Sequence, residues 1–174
     1  MRDETTENAR DDPDHDGGIH TAMNAWCTNP AAAKARYGPI GSWDTSCVTD
    51  MRLLFWDEGR FNEDISQWNV SNVVNMENMF DGATRFNGDL SGWDVGQVEH
   101  MDFMFSGATS FNRNLSHWNV SSVCDMDSMF DDATSFSHQL GGAWSISSAD
   151  KINMFRNCPG SIMGLTKDAN GTIE

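Results

Sequence analysis

The chain has 174 residues, with 11 Lys and Arg against 26 Asp and Glu, so its formal net charge at pH 7 is -15. Sequence-independent binding to nucleic acid or to anionic lipid needs clustered positive charge, and this charge balance argues against both kinds of partner. No run of 18 apolar residues occurs, so we expect no insertion into a membrane.

The N-terminal part of the chain is predicted to contain a tail and a cap. Residues 1–18 are acidic and rich in Gly and Asp, which predicts a disordered tail. They also lack the basic and apolar regions of a secretory signal. Residues 19–39 are predicted to form a helical N-terminal cap. Their apolar side chains recur at helical spacing, a break follows at Thr28-Asn29-Pro30, and Gly38 ends a second helical segment.

A repeat with a period of 25 residues fills the rest of the chain. It predicts solenoid units over 40–64, 65–89, 90–114 and 115–139, then a degenerate capping unit over 140–164 and a tail over 165–174. Aromatic columns show the period most clearly: Trp43, Trp68, Trp93 and Trp118; Phe61, Phe86, Phe111 and Phe136; and Phe55, Phe80, Phe105, Phe130 and Phe155. Two columns of Met lie beside them, and we interpret both the Met and the Trp columns as core.

Each unit has two apolar patterns. Ile65, Trp68 and Val70 lie at offsets 0, 3 and 5, which indicates a short strand. The second pattern has offsets 0, 3, 4 and 7, which is typical of the buried stripe of a two-turn helix, at Met76, Met79, Phe80 and Ala83. The predicted fold is therefore α/β: a right-handed leucine-rich-repeat-like solenoid of about five 25-residue strand–helix coils with a helical N-terminal cap.

The units FNEDISQWNVSNVVNMENMFDGATR, FNGDLSGWDVGQVEHMDFMFSGATS and FNRNLSHWNVSSVCDMDSMFDDATS resemble a leucine-rich repeat. They are more similar still to the BspA-like surface-protein repeats, in the 25–26-residue form of bacterial surface proteins. The resemblance covers about Ile40 to Phe155. It implies adhesion or recognition at the cell surface or outside the cell, although the N-terminus shows no signal peptide.

Residues between the apolar positions of the predicted strands must point away from the core. They form one column of varied residues and one that alternates acid and amide. The predicted contact residues for a partner are Ser42, Asp44, Gln67, Asn69, Asp94, His117 and Asn119, with Gly92 completing the first column. We expect a protein partner on this face, with a glycan as the alternative. A solvated face without any partner stays an open interpretation.

A second polar pattern gives weak candidates for a calcium site, Asp64 and Asp89, because hard cations prefer carboxylate oxygens. The competing interpretation is a side-chain ladder that satisfies backbone groups in turns. No Cys pattern suggests zinc, although Cys27 and Cys47 are a conceivable disulfide pair. Sequons begin at Asn69, Asn114, Asn119 and Asn170, and their use is left open.

No Ser-His-Asp, GxSxG or phosphate-loop pattern occurs, so we expect no enzymatic activity and no cofactor. The predicted function is a non-enzymatic binding module. The alternatives are a structural subunit of a larger assembly and an acidic calcium-binding surface protein. The sequence leaves the oligomeric state open.

Overall fold

The computed structural model describes residues 16–173, so most of the predicted tail 1–18 lies outside the described residues. Helix α1 (Asp16–Thr28) and helix α2 (Pro30–Tyr37) come first. The Oδ1 of Asn29 accepts a hydrogen bond from the amide of Ala32 at 3.1 Å and caps α2, which begins with the proline that favours a first helical position. A 3₁₀ turn (Ile40–Ser42) then leads into the repeats.

The remaining regular elements of the described chain lie at its C-terminal end. Strand β1 (Gln139–Leu140) pairs in parallel with strand β2 (Ser161–Ile162), with Leu140 opposite Ile162. A short helix α3 (Ala143–Ile146) lies between them in the chain. None of the helices within residues 16–173 combines the length and apolar character needed to cross a membrane.

The predicted leucine-rich-repeat-like solenoid of strand–helix coils is wrong. Between Ser42 and Gln139 the described structure consists of turns and extended loops, with no helix and no strand longer than an isolated bridge. Neighbouring 25-residue units do contact each other in register, through parallel bridges that link Asp50 to Asn75, Asn75 to His100, His100 to Asp125 and Asp125 to Asp150. The units therefore stack without being built from strands and helices.

The segment predicted as a helix is a turn ladder, our name for residues 51–58 and their equivalents 76–83, 101–108, 126–133 and 151–158. Alternate amides donate to carbonyls of the next unit: Phe80 N to Met104 O at 2.9 Å and Gly82 N to Ser106 O at 2.8 Å. The amides between them close turns inside the unit, as Met79 N does to Met76 O at 3.2 Å. An α-helix needs bonds to the fourth preceding carbonyl, and this alternation removes them.

Left-handed residues interrupt the helical backbone twice in each turn ladder. In the second unit they are Asn78, with φ 54°, and Gly82, with φ 72°. Glycine enters this region freely and Asn tolerates it better than most residues, so the local sequence accommodates the turns. The apolar offsets 0, 3, 4 and 7 still point inward, because successive turns also return the chain to one side.

The segment predicted as a strand bonds within its own unit. The Oδ1 of Asp64 accepts from Ser66 N at 3.0 Å, and Trp68 N donates to Ile65 O at 3.1 Å. An indole takes the place of the missing strand pairing, since Trp93 Nε1 donates to Ile65 O at 3.3 Å. The same bond recurs from Trp68 to Ile40, from Trp118 to Leu90 and from Trp144 to Leu115.

Two aromatic ladders run through the core. The rings of Phe55, Phe80, Phe105, Phe130 and Phe155 stack with centroid separations of 4.9, 5.5, 5.5 and 5.4 Å. A second ladder, Phe61, Phe86, Phe111 and Phe136, lies beside the first, and Phe105 is only 4.1 Å from Phe111. The Met and Trp columns are buried with them, which confirms their interpretation as core.

Both ends of the stack are covered. At the N-terminal end, Trp26 of α1 packs edge-on against Trp43 with ring centroids 5.8 Å apart. At the other end, Phe155 N donates to Gly171 O at 2.9 Å, and Lys167 Nζ donates to Cys158 O at 2.8 Å. The returning C-terminal segment thereby satisfies backbone groups that a next unit would otherwise bond.

Candidate recognition surfaces

The residues predicted to contact a partner are all exposed, and we call them the polar face: Ser42, Asp44, Gln67, Asn69, Asp94, His117 and Asn119. Turns rather than strands position them. Each Asp or Asn accepts, through Oδ1, the amide two residues further on; the distances are 3.0 Å for Asp44, 3.1 Å for Asn69 and Asp94, and 3.3 Å for Asn119. The hydrogen bonds from Ser46 hold the pKa of Asp44 below its usual range.

The turns leave polar atoms of this face available to a ligand. Within residues 16–173, no hydrogen bond involves the Nδ2 of Asn69 or of Asn119. The column Asp44, Asn69, Asp94 and Asn119 therefore alternates carboxylates with amide donors from one unit to the next. In the neighbouring column, His117 Nε2 lies 2.9 Å from the Ser91 carbonyl oxygen and Gln67 Nε2 lies 3.4 Å from Ser66 Oγ.

The weak calcium candidates have a structural role. Asp64 Oδ1 accepts from Ser66 N at 3.0 Å and Asp89 Oδ1 from Ser91 N at 2.9 Å, and these bonds lower the pKa of both carboxyls. Within the described range, no three His, Cys, Asp or Glu side chains are grouped so that they could hold a metal ion. Through their hydrogen bonds to Ser66 and Ser91, the two carboxylates cap their own turns.

An asparagine ladder runs beside these caps. Asn62 Oδ1 accepts from Asn87 N at 2.9 Å, Asn87 Oδ1 from Asn112 N at 3.1 Å, and Asn112 Oδ1 from Ser137 N at 3.2 Å. Here each side chain bonds the backbone of the next unit, as expected for a side-chain ladder that satisfies backbone groups. These asparagines hold neighbouring units in register.

A groove of about 610 Å³ lies where the N-terminal helices meet the first units. Its lining brings Ser42 of the polar face near Asp64, with Trp26, Lys34 and Ile40 beside them. The sequence pattern did not place Ser42 and Asp64 together, because they belong to two different polar columns.

All four cysteines, including the conceivable pair Cys27 and Cys47, are free thiols. Burial, with a smaller contribution from the hydrogen bond to Glu58, raises the pKa of Cys27 to about 12. Burial also raises the pKa of Cys158, to about 11. The half-buried thiol of Cys27 and the buried thiol of Cys158 are therefore poor nucleophiles, whereas Cys47 and Cys124 are exposed.

Sequence reasoning missed a second exposed surface, on the turn ladders. Trp56 is 57% exposed, Leu53 47% and Phe103 39%. The signal was present in the sequence, because the other residues of the two columns in which these three side chains stand are small or polar. Those columns are Leu53, Asn78, Phe103, Ser128 and Asn153, and Trp56, Asp81, Ser106, Asp131 and Arg156.

Carboxylates surround this second surface. Burial raises the pKa of Asp81, in opposition to hydrogen bonds from the side chains of Ser106 and Trp56. Burial also raises the pKa of Asp102, and the charges of Glu77 and Asp125 add to that shift. The neighbourhood therefore disfavours further negative charge.

This geometry defines a repeat protein whose 25-residue units stack through turn ladders and side-chain ladders. A family model described as "Mycoplasma protein of unknown function, DUF285" matches residues 21–144, well over half of the chain. The chain belongs to that family. No curated protein and no solved structure matches the chain.

Proposed function

We propose that the chain is a non-enzymatic binding module that docks a protein partner on the polar face, with a glycan as the alternative ligand. The observation that carries this proposal is the alternation of carboxylates and free amide donors at Asp44, Asn69, Asp94 and Asn119, each fixed by a turn bond of 3.0–3.3 Å. Side chains that are already ordered lose little conformational entropy when they bind, which favours recognition by preorganisation.

The neighbouring column supports selectivity. Ser42, Gln67, Gly92 and His117 occupy equivalent positions in four units but differ in size and hydrogen-bonding capacity. A partner that follows the stack therefore meets a distinct side chain at every unit. The resemblance to BspA-like surface-protein repeats supports placing this recognition at a cell surface.

The test compares two double variants that add the same charge. Gln67→Arg/His117→Arg changes the polar face, where both side chains are exposed. Ser110→Arg/Ser135→Arg is the control, because Arg60 and Arg85 already occupy the equivalent column in two units. Both variants should keep the thermal midpoint of the natural chain, since exposed substitutions change stability by about 0.5 kcal/mol or less.

Each immobilised protein is exposed to an extract of its native cells, and retained proteins are identified by mass spectrometry. We expect a partner that the natural chain and the control retain and that Gln67→Arg/His117→Arg loses. Retention of the same proteins by all three would contradict docking on the polar face. If instead a protein co-purifies with the chain at fixed stoichiometry and Gln67→Arg/His117→Arg does not disturb this, the result would favour the alternative of a structural subunit in a larger assembly.

A further inference from the structure

In the turn ladders 51–58, 76–83 and 101–108, three large apolar side chains are exposed, those of Leu53, Trp56 and Phe103. Two of them stand on left-handed backbone, with φ 59° at Leu53 and 55° at Phe103. Bulky residues are outliers in that region, where Asn and other small polar residues are better tolerated. Equivalent left-handed positions elsewhere in this chain carry Asn78, Ser128 and Asn153.

The scaffold itself does not need these apolar groups. At the left-handed position, Leu53 N and Asn78 N make the same bond to the next unit, 2.9 Å to Glu77 O and 3.0 Å to Asp102 O. A polar side chain thus supports the backbone as well as an apolar one does. Large exposed apolar side chains at positions that other units fill with polar residues indicate a contact with another molecule.

The charge around these side chains indicates the kind of molecule. Carboxylates of Asp57, Glu77, Asp81 and Asp102 lie on the same turn ladders, and within residues 16–173 none of them has an ion-pair partner. Arg52 is the one Lys or Arg of the turn ladders 51–58, 76–83 and 101–108, and it already pairs with Asp50 at 3.0 Å. The surface therefore combines apolar side chains with uncompensated negative charge.

We propose that this surface, the turn face (Leu53, Trp56, Asp57, Glu77, Asp81, Asp102 and Phe103), binds a protein segment that carries Lys or Arg beside apolar side chains. The proposal deepens the binding function proposed above but does not depend on the polar face. Apolar contacts supply affinity, while opposite charges supply selectivity and speed association. A second copy of this chain is a poor occupant, because each copy carries a net charge of -15.

Leu53 and Trp56 lie in the first unit and Phe103 lies two units further along the stack. The core rings give the spacing of these units, which is 4.9 Å from Phe55 to Phe80 and 5.5 Å from Phe80 to Phe105. The two apolar clusters thus lie about 10 Å apart along the stack. Between them lies Asp81, whose carboxyl group is close to the side chains of Trp56 and Ser106. A bound segment can therefore place a cation at Asp81 between two apolar contacts.

The probe is a fluorescein-labelled 12-residue peptide of alternating Lys and Leu, and binding is followed by fluorescence anisotropy. One control peptide replaces Lys with Glu and another replaces Leu with Ser. We expect both controls to bind the natural chain at least 10-fold more weakly than the Lys-Leu peptide. Tight binding of either control, or no binding of the Lys-Leu peptide, would overturn the proposal.

The decisive variant is Leu53→Asn/Trp56→Ser/Phe103→Asn, whose new residues all occur at equivalent positions of other units. It should fold and bind the Lys-Leu peptide at least 10-fold more weakly. The matched control, Ile146→Ser/Met163→Ser, removes exposed apolar side chains at the C-terminal end and should bind normally. Trp56→Ser alone, with an expected loss of at least 3-fold, keeps the test valid if the triple variant misfolds.

Equal binding by the triple variant and the natural chain would overturn the proposal. So would a concentration-dependent dimer in sedimentation velocity that the triple variant abolishes, because a second copy would then occupy the face. The polar-face variant Gln67→Arg/His117→Arg should still bind the peptide. If only the polar-face variant loses the cellular partner, the function proposed for the polar face stands. If only the triple variant of the turn face loses that partner, the partner docks on the turn face.

Discussion

Replacing Phe105 with Ala should destabilise the chain strongly. Phe105 is fully buried, its ring lies 5.5 Å from those of Phe80 and Phe130, and the ring of Phe111 is 4.1 Å away. Truncating a buried Phe to Ala typically costs about 3–5 kcal/mol. Because the site is in the middle unit, with ladder neighbours on both sides, we expect about 4 kcal/mol here.

The assay is urea and thermal unfolding followed by circular dichroism. For a chain of this size, about 4 kcal/mol corresponds to a fall in the thermal midpoint of about 10 °C. Phe103→Ala is the matched control, only two residues away but 39% exposed on the turn face. It should change the free energy of unfolding by less than about 1 kcal/mol.

Two results would refute this reasoning. The first is an equal loss of stability in Phe105→Ala and Phe103→Ala, since the alternation of buried and exposed positions in the turn ladder would then be wrong. The second is a loss below about 1 kcal/mol for Phe105→Ala, which is too small for a ring packed on both faces.

Two further predictions concern ionisable groups. Because burial raises the pKa of Asp102 above its ordinary 3.8, the folded chain holds this proton longer, and stability falls as pH rises from 3.8 through the raised pKa. Asp102→Asn should therefore be more stable than the natural chain at pH 7, and the difference should vanish below pH 3.8; a gap that persists there would contradict the assignment. In native protein, iodoacetamide should label Cys47 and Cys124 quickly and Cys27 and Cys158 slowly, as peptide mass spectrometry would show. Fast labelling of Cys27 would contradict its raised pKa.

The sequence predicted which residues are buried better than it predicted the backbone that buries them. The period of 25 aligned Trp68, Met76 and Phe80 with their equivalents, and all of these side chains lie in the core. Burial follows from an apolar column that recurs in every unit, and such a column constrains side-chain direction. It does not constrain the hydrogen bonds of the residues between.

The helix prediction failed because the offsets 0, 3, 4 and 7 fit two backbones. Turns that close on the third preceding carbonyl return the chain to the same side almost as a helix does. The distinguishing residues were Asn78 and Gly82, which favour left-handed backbone, and Gly82 recurs as Gly107 in the next unit. The strand prediction failed similarly, because Asp64 and Asn69 direct the chain into turns through their side chains.

The polar-face residues could be nominated from sequence because they alternate with apolar ones, and all are exposed. The turn face could not be found while its segment was treated as a helix with only an inward stripe. Leu53, Trp56 and Phe103 interrupt columns that are otherwise small or polar, and that contrast is visible without any structure. Comparing residues down a column is thus more informative for surfaces than the pattern within one unit.

The stacking of turn ladders, on which both proposed surfaces depend, can be measured through scalar couplings across hydrogen bonds by NMR in deuterated protein. The structure has Phe80 N donating to Met104 O at 2.9 Å and Phe105 N donating to Met129 O at 2.8 Å. We therefore predict couplings from Phe80 N to the Met104 carbonyl carbon and from Phe105 N to that of Met129. Couplings from Phe80 N to Met76, and from Phe105 N to Met101, would instead show a helix and contradict the stack.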